Sequence, residues 1–363
     1  MLIAVGSYSQ DLGFVAGKGK GVYAIRFPED FDGATTEARV VVPSSVAANP
    51  SYLAATADAL YVVDERNEIS GRLHSFSRDF EPRGTVECVD TSTCFVAATP
   101  THVLAANYAG ASPRASVVSV RHDDGRLLSE TRQVISFPKA AGPVVARQET
   151  SHAHMAFPVD GAVLVPDLGS DVVWSVEYSP DSGLIGEPSV ACECPPGSGP
   201  RHCAASTNGA FLFVLCELSA TLLVFAVDDG GRPASRTPAA TVDVLPPAVD
   251  RGKAMCAALR VSRNAVYCSV RVDDAEGQIC VARLDPRTGA PLDAPTTWVG
   301  TRGRTPRDII LLTPKTLLAA NQDSDTIFAF DVDPDTGALT PTTLVCRAAR
   351  TPVCLAPLLD MWS

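Results

Sequence analysis

The stretch GSGPRHCAASTNGAFLFVLCELSATLLVFAVDD, residues 197–229, contains three apolar runs separated by short polar turns. The runs are rich in β-forming residues, and the turn TNG at 207–209 is of the kind that closes a β-hairpin. Arg201 and His202 open the first run, and Glu217 follows the second. The stretch therefore predicts antiparallel strands with charged residues gathered at one end.

The same pattern of paired apolar runs recurs along the chain. The other copies are NPSYLAATADALYVVDE (49–65), STCFVAATPTHVLAANY (92–108), HAHMAFPVDGAVLVPD (152–167), AMCAALRVSRNAVYCSVR (254–271) and TPRDIILLTPKTLLAANQ (305–322). A third run follows the pairs, and a weaker fourth run follows turn signatures such as DPRTGA and DPDTGA. Four short strands that recur about every fifty residues are typical of β-propeller blades.

The two ends of the chain supply one further blade. TPVCLAPLL (351–359) matches a first strand, while LIAVGSY (2–8) and GVYAIRF (21–27) match second and third strands. Joining them in one blade closes the ring and removes its exposed edges. We therefore predict an all-β fold in which residues 1–363 form a single domain. It is a seven-bladed β-propeller of four-stranded antiparallel blades, with the ring closed by N- and C-terminal strands in one blade.

Composition excludes several classes of partner. The formal net charge is −11 and no long basic stripe occurs, so we expect no nucleic acid and no membrane as partner. The N-terminal MLIAVGSYSQ does not resemble a signal peptide, and no apolar run approaches the roughly 20 residues of a membrane span. The eleven cysteines are odd in number and several lie in apolar strands, which favours reduced, buried thiols in a cytoplasmic protein.

Hairpin geometry brings Arg201, His202 and Glu217 together, because the start of one strand lies beside the end of its antiparallel partner. Innermost strands surround the channel of a propeller, so this end of each blade, here called the rim, borders the channel mouth. Equivalent rim positions carry Asp167, Arg271, Gln322, His152, His154 and Arg307. Convergent polar groups in a concave site predict a ligand site. The alternative is a solvated rim whose polar residues join neighbouring blades.

Three motifs carry a family resemblance: SHAHMAF at 151–157, GPRHCAAS at 199–206, and PRDIIL at 306–311 followed by LLAANQDSDTIFAFDVD. They resemble the seven-bladed propeller lactonase family, which includes bacterial-type 6-phosphogluconolactonase and fungal-type 3-carboxy-cis,cis-muconate lactonising enzyme. In the cyclase branch, four residues from successive blades line the proposed active cup. By motif these fall on His154, Arg201, Glu217 and Arg271. GPRH, with His202, resembles the gluconolactonase branch more closely.

The resemblance implies lactone chemistry at the rim. Glu217 would act as general base or orient the attacking water, while Arg201 and Arg271 would grip a phosphate or carboxylate and stabilise the oxyanion. His154 would contact the ligand or act as general acid. The expected substrate-binding residues are His152, His202, Asp167, Arg307 and Gln322.

Other roles are also open for some of these residues. Glu217 and Arg201 could form a structural salt bridge between blades. His152 and His154 could bind a metal with Asp167 as third ligand, although an HxH pair alone is a weak signal. The sequence has no GxSxG elbow, no phosphate-binding glycine loop and no paired CxxC set, which argues against covalent serine catalysis and nucleotide binding. We expect no metal and no cofactor.

We therefore expect a lactone hydrolase of carbohydrate metabolism, similar to 6-phosphogluconolactonase and placed in the pentose phosphate pathway. Its partner would be a small anionic metabolite, a phosphorylated or carboxylated lactone. One alternative is a 3-carboxy-cis,cis-muconate cyclase-type lactonising enzyme, which runs lactone chemistry in the opposite direction. Another is a non-catalytic propeller that binds a ligand or a protein, because this fold hosts many functions. The sequence leaves the oligomeric state open.

Overall fold

The hairpins predicted from the repeats are present in the structure, a computed structural model that describes residues 1–27, 36–109 and 115–358. Pro200–Ala205 pairs antiparallel with Phe211–Cys216, which pairs in turn with Thr221–Ala226. The hairpin turn places Gly209 at a φ of 72°, a left-handed conformation that glycine adopts without steric cost. Seven such sheets form a ring, so the predicted all-β seven-bladed propeller is confirmed.

Each blade is an antiparallel sheet, and in blades 2 to 7 the strands run in chain order from the central channel outward. The strands of the first three blades are Leu2–Ser7 (β1), Gly21–Arg26 (β2) and Ala38–Pro43 (β3); Pro50–Ala55 (β4), Leu60–Asp64 (β5), Arg72–Phe76 (β6) and Pro82–Glu87 (β7); and Thr91–Ala98 (β8), His102–Ala109 (β9), Ser116–Asp123 (β10), Arg126–Leu127 (β11) and Gln133–Ser136 (β12).

Blades 4 to 7 follow the same order without interruption. Their strands are Phe157–Val159 (β13), Ala162–Asp167 (β14), Val172–Ser179 (β15) and Gly183–Glu193 (β16); Pro200–Ala205 (β17), Phe211–Cys216 (β18), Thr221–Ala226 (β19) and Ala240–Asp243 (β20); Ala254–Val261 (β21), Ala265–Val272 (β22), Gln278–Arg283 (β23) and Thr297–Gly300 (β24); and Pro306–Thr313 (β25), Thr316–Asn321 (β26), Thr326–Val332 (β27) and Leu339–Cys346 (β28). Short 3-10 turns occur at Ser129–Thr131, Arg251–Lys253 and Gln322–Ser324. The chain then returns to blade 1 as its innermost strand, Pro352–Leu358 (β29).

The termini close the ring as predicted. Strand β29 pairs antiparallel with β1, placing Leu358 opposite Leu2 and Leu355 opposite Val5. Leu359, the last residue of the predicted strand, lies outside the described residues. Blade 3 differs in detail from the four-strand pattern, because its outer position is divided between β11 and β12, both paired with β10.

The core lies between adjacent blades rather than inside any one of them. On β18, Phe213 and Leu215 pack towards blade 6, whereas Leu212 and Val214 pack towards blade 4. Successive side chains on a strand point to opposite faces, so a middle strand supplies apolar groups to two interfaces. This explains why the runs are continuously apolar instead of alternating. Each large aliphatic side chain buried there stabilises the fold by roughly 1.5–3 kcal/mol.

Register shifts occur near the start of most innermost strands, and in three blades the bulged residue lines the site. In blades 3, 5 and 7 the pairing register shifts across Cys94, Arg201 and Arg307, so two residues oppose one at each place. A bulge of this kind re-aims the side chain of the inserted residue. All three bulged residues line the same cavity.

Two further findings concern membrane-spanning helices and the cysteine thiols. Within the described ranges, no helix is long and apolar enough to cross a bilayer. All eleven cysteines fall in those ranges, and every one is buried and unpaired. Nine of them lie in strands, and Cys88 and Cys194 each directly follow one, which agrees with the buried thiols expected from the sequence.

Candidate active site

A cavity of about 750 Å³ opens at the channel mouth, bordered by the rim. Most of the predicted site residues come together there. Those lining the cavity are His152, His154, Arg201, Glu217, Arg271, Arg307 and Gln322. Asp167 and His202 are not part of its lining.

Glu217, directly after β18, sits on the cavity floor with its side chain 2% exposed. Its Oε2 atom lies 2.6 Å from Nη1 of Arg201 and 3.1 Å from Nη2 of Arg271. Its Oε1 atom accepts a hydrogen bond of 2.6 Å from Nη2 of Arg147. Burial alone would raise the pKa of this carboxyl, but the three guanidinium groups hold it well below its usual range. Glu217 is therefore a firmly ionised carboxylate.

Arg201 is the bulged residue of β17, and its guanidinium is held from three sides. Nε donates to the carbonyl of Ala257 over 2.9 Å, and Nη1 contacts both Glu217 and Nε2 of His154. The neighbouring Cys94 thiol lies 3.8 Å from Nδ1 of His154. Burial, reinforced by Arg201, lowers the pKa of His154 well below 6.5. The imidazole is thus neutral, with Nε2 as the acceptor facing Arg201.

Arg271 completes the pair of arginines predicted on the floor. Its Nη2 atom donates to the carbonyl of Cys256 over 2.8 Å as well as facing Glu217. Burial lowers the pKa of Arg271 to about 10 against the opposing pull of Glu217, so the group stays charged at neutral pH. Its Nε atom is buried and has no hydrogen-bond partner among the described residues.

Arg147 is a site residue that the sequence analysis missed. It lies in the irregular segment between blades 3 and 4, where Nη1 contacts Sδ of Met255 at 3.2 Å and Nη2 contacts Glu217. Neither strand periodicity nor a turn motif marks this position, so the sequence carries no signal for it. Arg147, Arg201 and Arg271 are called the arginine cluster below.

A second group of residues, from blades 1, 2 and 7, forms another part of the cavity wall. Nη2 of Arg307 donates to Oη of Tyr8 over 2.7 Å, and the Tyr8 hydroxyl donates to Oε2 of Glu65 over 2.8 Å. The Arg307 guanidinium also lies over the rings of Tyr8 and Phe14, 5.0 and 5.7 Å from their centroids. Burial raises the pKa of Tyr8 well above 10, so the phenol stays neutral. Tyr8 and Glu65 occupy rim positions equivalent to Glu217, which is the signal that could have identified them.

His152 and Asp167 adopt supporting positions. The His152 ring stacks on Tyr108 with centroids 4.2 Å apart, its Nδ1 faces the Tyr108 carbonyl at 2.9 Å, and its Nε2 lies 3.0 Å from Glu149. The Asp167 carboxylate instead accepts hydrogen bonds from the backbone N–H of His152 and from Nε1 of Trp174. Asp167 therefore orients the segment that carries the histidines and does not face the cavity. No cluster of three potential metal ligands occurs among the described residues.

His202 lies beside the cavity rather than in its wall. Its ring is 3% exposed and contacts Tyr52, Phe95 and His154, with centroids 6.2, 6.1 and 5.8 Å apart. Burial lowers the pKa of His202 well below 6.5, with Arg201 contributing. Its neutral ring thus packs next to His154, whereas a substrate-binding role was expected from the sequence.

The floor of the cavity carries an excess of positive charge. Its more buried charged groups are four guanidinium groups, those of the arginine cluster and Arg307, and two carboxylates, Glu217 and Glu65. The exposed residues that also line the cavity are Arg304, Glu149, Asp273, Asp274 and Asp323. Residues 2–357 match the family model described as Lactonase, 7-bladed beta-propeller. The chain belongs to this lactonase family. The resemblance drawn from the three motifs is thereby confirmed.

Several relatives of this chain carry more specific names. A probable 6-phosphogluconolactonase of Arthroderma benhamiae is 31% identical over 70% of the chain and 64% of its own length. The 6-phosphogluconolactonase of Bacillus subtilis is 29% identical over 70% of the chain and 69% of its own length. The structure of a periplasmic gluconolactonase of Pseudomonas aeruginosa superimposes with a TM-score of 0.76 at 25% identity, covering 98% of both chains. The chain thus spans slightly less than two thirds of the fungal relative.

The arginines of the cavity are suited to two kinds of interaction with a substrate. Guanidinium groups that are already fixed by Glu217 and by backbone carbonyls can bind an anionic oxygen without reorganising, which is the requirement for stabilising an oxyanion. Arginine also recognises phosphate and carboxylate groups through paired N–H donors. The cavity therefore suits an anionic substrate whose carbonyl oxygen gains charge during reaction.

Proposed function

We propose that this lactonase hydrolyses an anionic sugar lactone, with 6-phosphogluconolactone as its substrate. The observation that carries the proposal is the buried arginine cluster bridged by Glu217 on the cavity floor. The names of the fungal and bacterial relatives support the same substrate. None of the relatives described above is named a cyclase, so the carboxymuconate alternative is not favoured.

In this mechanism the lactone carbonyl oxygen is held by Arg201 and Arg271, and water adds to the carbonyl carbon. The two guanidinium groups stabilise the negative charge that develops on the oxygen in the tetrahedral intermediate. Collapse of the intermediate breaks the ring C–O bond and releases the hydroxy acid. Glu217 holds the two arginines at a constant separation, which is a positioning role. The neutral His154 fixes the Nη1 edge of Arg201 from the other side.

The phosphate of the substrate requires positive charge in addition to the arginine cluster. Arg307 and the exposed Arg304 both line the cavity on blade 7 and supply it, with Gln322 beside Arg307 at 3.5 Å. His152, which also lines the cavity, contacts the sugar hydroxyls in this arrangement. The acidic residues at the outer edge, such as Asp273 and Asp274, disfavour a larger polyanion.

The proposed setting is the cytoplasm and the pentose phosphate pathway. Eleven free, buried thiols suit a reducing compartment. The pathway follows from the proposed substrate, a phosphorylated sugar lactone. The partner is accordingly a small anionic metabolite.

The test is the hydrolysis of freshly prepared 6-phosphogluconolactone by purified protein, compared with the spontaneous rate. Wild type is expected to exceed the spontaneous rate clearly, and Glu217→Gln to lose most of that excess because its neutral amide no longer holds three guanidinium groups. Unphosphorylated gluconolactone serves as comparison and is expected to react with a higher KM. A wild-type rate equal to the spontaneous one would refute the proposal and favour a binding propeller.

A further inference from the structure

Glu65 is a second buried carboxylate in the cavity, for which the mechanism above has no use. It follows strand β5 in blade 2, is 5% exposed and lines the cavity. Its backbone N–H donates to the carbonyl of Asn49 over 3.0 Å, and its carbonyl accepts from Nδ2 of Asn49 over 3.1 Å. These contacts hold the backbone at Glu65, as the hydrogen bond of 2.7 Å from the Glu217 N–H to the Gly199 carbonyl holds it at Glu217.

The two carboxylates differ in what they contact. Glu217 is bound by three guanidinium groups, which compete with any proton for its oxygens. The Glu65 carboxylate takes part in no ion pair among the described residues, and its one side-chain hydrogen bond there comes from the neutral Tyr8 hydroxyl to Oε2. Oε1 of Glu65 is thus available to a water molecule in the cavity.

Glu65 lines the same cavity as the arginine cluster, and two further residues lie near both. Burial has the largest effect on the pKa of the Cys94 thiol and raises it. The nearby charge of Glu65 raises this pKa further, whereas the charge of Arg201 lowers it. Cys94 in turn contacts His154, the neighbour of Arg201. Arg307 is likewise within the field of both Glu65 and Glu217. A lactone whose carbonyl oxygen rests on the arginine cluster therefore occupies the cavity that Glu65 also lines.

We propose that Glu65 is the general base of the reaction, a catalytic residue that contacts the attacking water. The inference rests on the proposed lactone hydrolysis. Glu65 Oε1 takes a proton from water as the water oxygen bonds to the carbonyl carbon. The resulting oxyanion rests on Arg201 and Arg271. When the ring C–O bond breaks, the protonated Glu65 returns the proton to the departing alkoxide, so that one water is consumed and the carboxylate is regenerated. Tyr8 stays neutral throughout and orients Glu65 through Oε2.

The decisive variant is Glu65→Gln, which keeps an oxygen that can accept from Tyr8 but cannot take a proton. General base catalysis contributes about 10²–10⁴-fold, so kcat is expected to fall by that amount while KM changes little. Glu68→Gln, at an exposed position three residues further on, is the matched control and is expected to behave as wild type. The melting temperature of Glu65→Gln should stay at the wild-type value.

A second variant separates proton transfer from a merely structural role. Glu65→Ala opens space for a small carboxylate, and added formate is expected to restore part of kcat in a concentration-dependent way, whereas wild type and Glu65→Gln gain nothing. If wild type is active and Glu65→Gln keeps kcat within about threefold, less than a base contributes, Glu65 is not the base although lactone hydrolysis stands. If wild type does not exceed the spontaneous rate, the proposed function itself fails.

Discussion

Oε2 of Glu217 lies 2.6 Å from Nη1 of Arg201, and both side chains are almost completely buried. The two residues belong to one hairpin, in which Pro200 is paired with Cys216 and Arg201 is the bulged residue that follows. The pair is therefore produced by local structure within a single blade. Arg271 and Arg147 reach the same carboxylate from blade 6 and from the segment between blades 3 and 4. The hairpin alone thus forms the Arg201–Glu217 pair, and closure of the ring adds the other two arginines.

Arg201→Lys is expected to lower kcat by about 10²–10³-fold, the usual effect of removing one oxyanion donor. A single ammonium cannot reach Ala257, Glu217 and the His154 ring at once, as the planar guanidinium does. Steady-state hydrolysis of fresh lactone measures the change. Arg287→Lys, at a side chain that is 84% exposed, serves as control. Wild-type kcat in Arg201→Lys would contradict the oxyanion role.

Glu217→Gln is expected to lower the free energy of unfolding at neutral pH by about 3–5 kcal/mol, because three buried or partly buried guanidinium groups lose their counter-charge. The pKa of Glu217 is depressed in the folded protein, so its stabilising effect is complete above pH about 4.5, its ordinary value. The effect is lost progressively as pH falls from there towards the folded-state pKa. Urea unfolding should therefore show that the difference in free energy of unfolding between wild type and variant is smaller at acidic pH than at neutral pH. A difference in free energy of unfolding that does not change with pH would contradict the ion-pair geometry.

His154 is expected to remain neutral at pH 6, because burial and the adjacent Arg201 lower its pKa well below 6.5. The tautomer should carry its proton on Nδ1, since Nε2 faces the Arg201 donor. Nitrogen chemical shifts of labelled histidine measure both properties. Titration of the ring near its ordinary pKa would contradict its burial beside Arg201.

Arg147→Met is expected to reduce kcat/KM by roughly 10–100-fold, the equivalent of losing one charged hydrogen bond. The effect should be smaller than that of Arg201→Lys, because the Arg147 side chain is 34% exposed and that of Arg201 only 6%. The same lactone assay measures it. Arg236→Met, at a side chain 65% exposed, provides the control. An effect equal to that of Arg201→Lys would mean that Arg147 also contacts the reacting oxygen.

Leu215→Ala is expected to destabilise the fold by about 2–5 kcal/mol, because it leaves a cavity between blades 5 and 6. Leu292→Ala removes the same atoms from a residue that is 38% exposed and should change stability far less. Urea unfolding measures both. Equal effects of the two substitutions would contradict an inter-blade core.

The sequence by itself determined the blades, the ring closure and the end of the ring where the site lies. These features depend on local information: the length of apolar runs, turn residues between them, and the rule that a hairpin brings one strand's start beside its partner's end. The joining of Leu2–Ser7 with Pro352–Leu358 also followed, because each terminus lacked the strands that the other supplied.

Only the tertiary structure decided what each rim residue does. Asp167 and Glu217 hold equivalent rim positions, yet Asp167 accepts backbone and Trp174 N–H groups while Glu217 binds the arginine cluster. The partner of a rim side chain comes from another blade or from an irregular segment such as that of Arg147, and no local pattern encodes it. Bulges add to this, because one inserted residue redirects a side chain that strict alternation would place elsewhere. The chemistry of the cavity therefore depends on contacts between residues far apart in the chain, and these contacts exist only once the ring has closed.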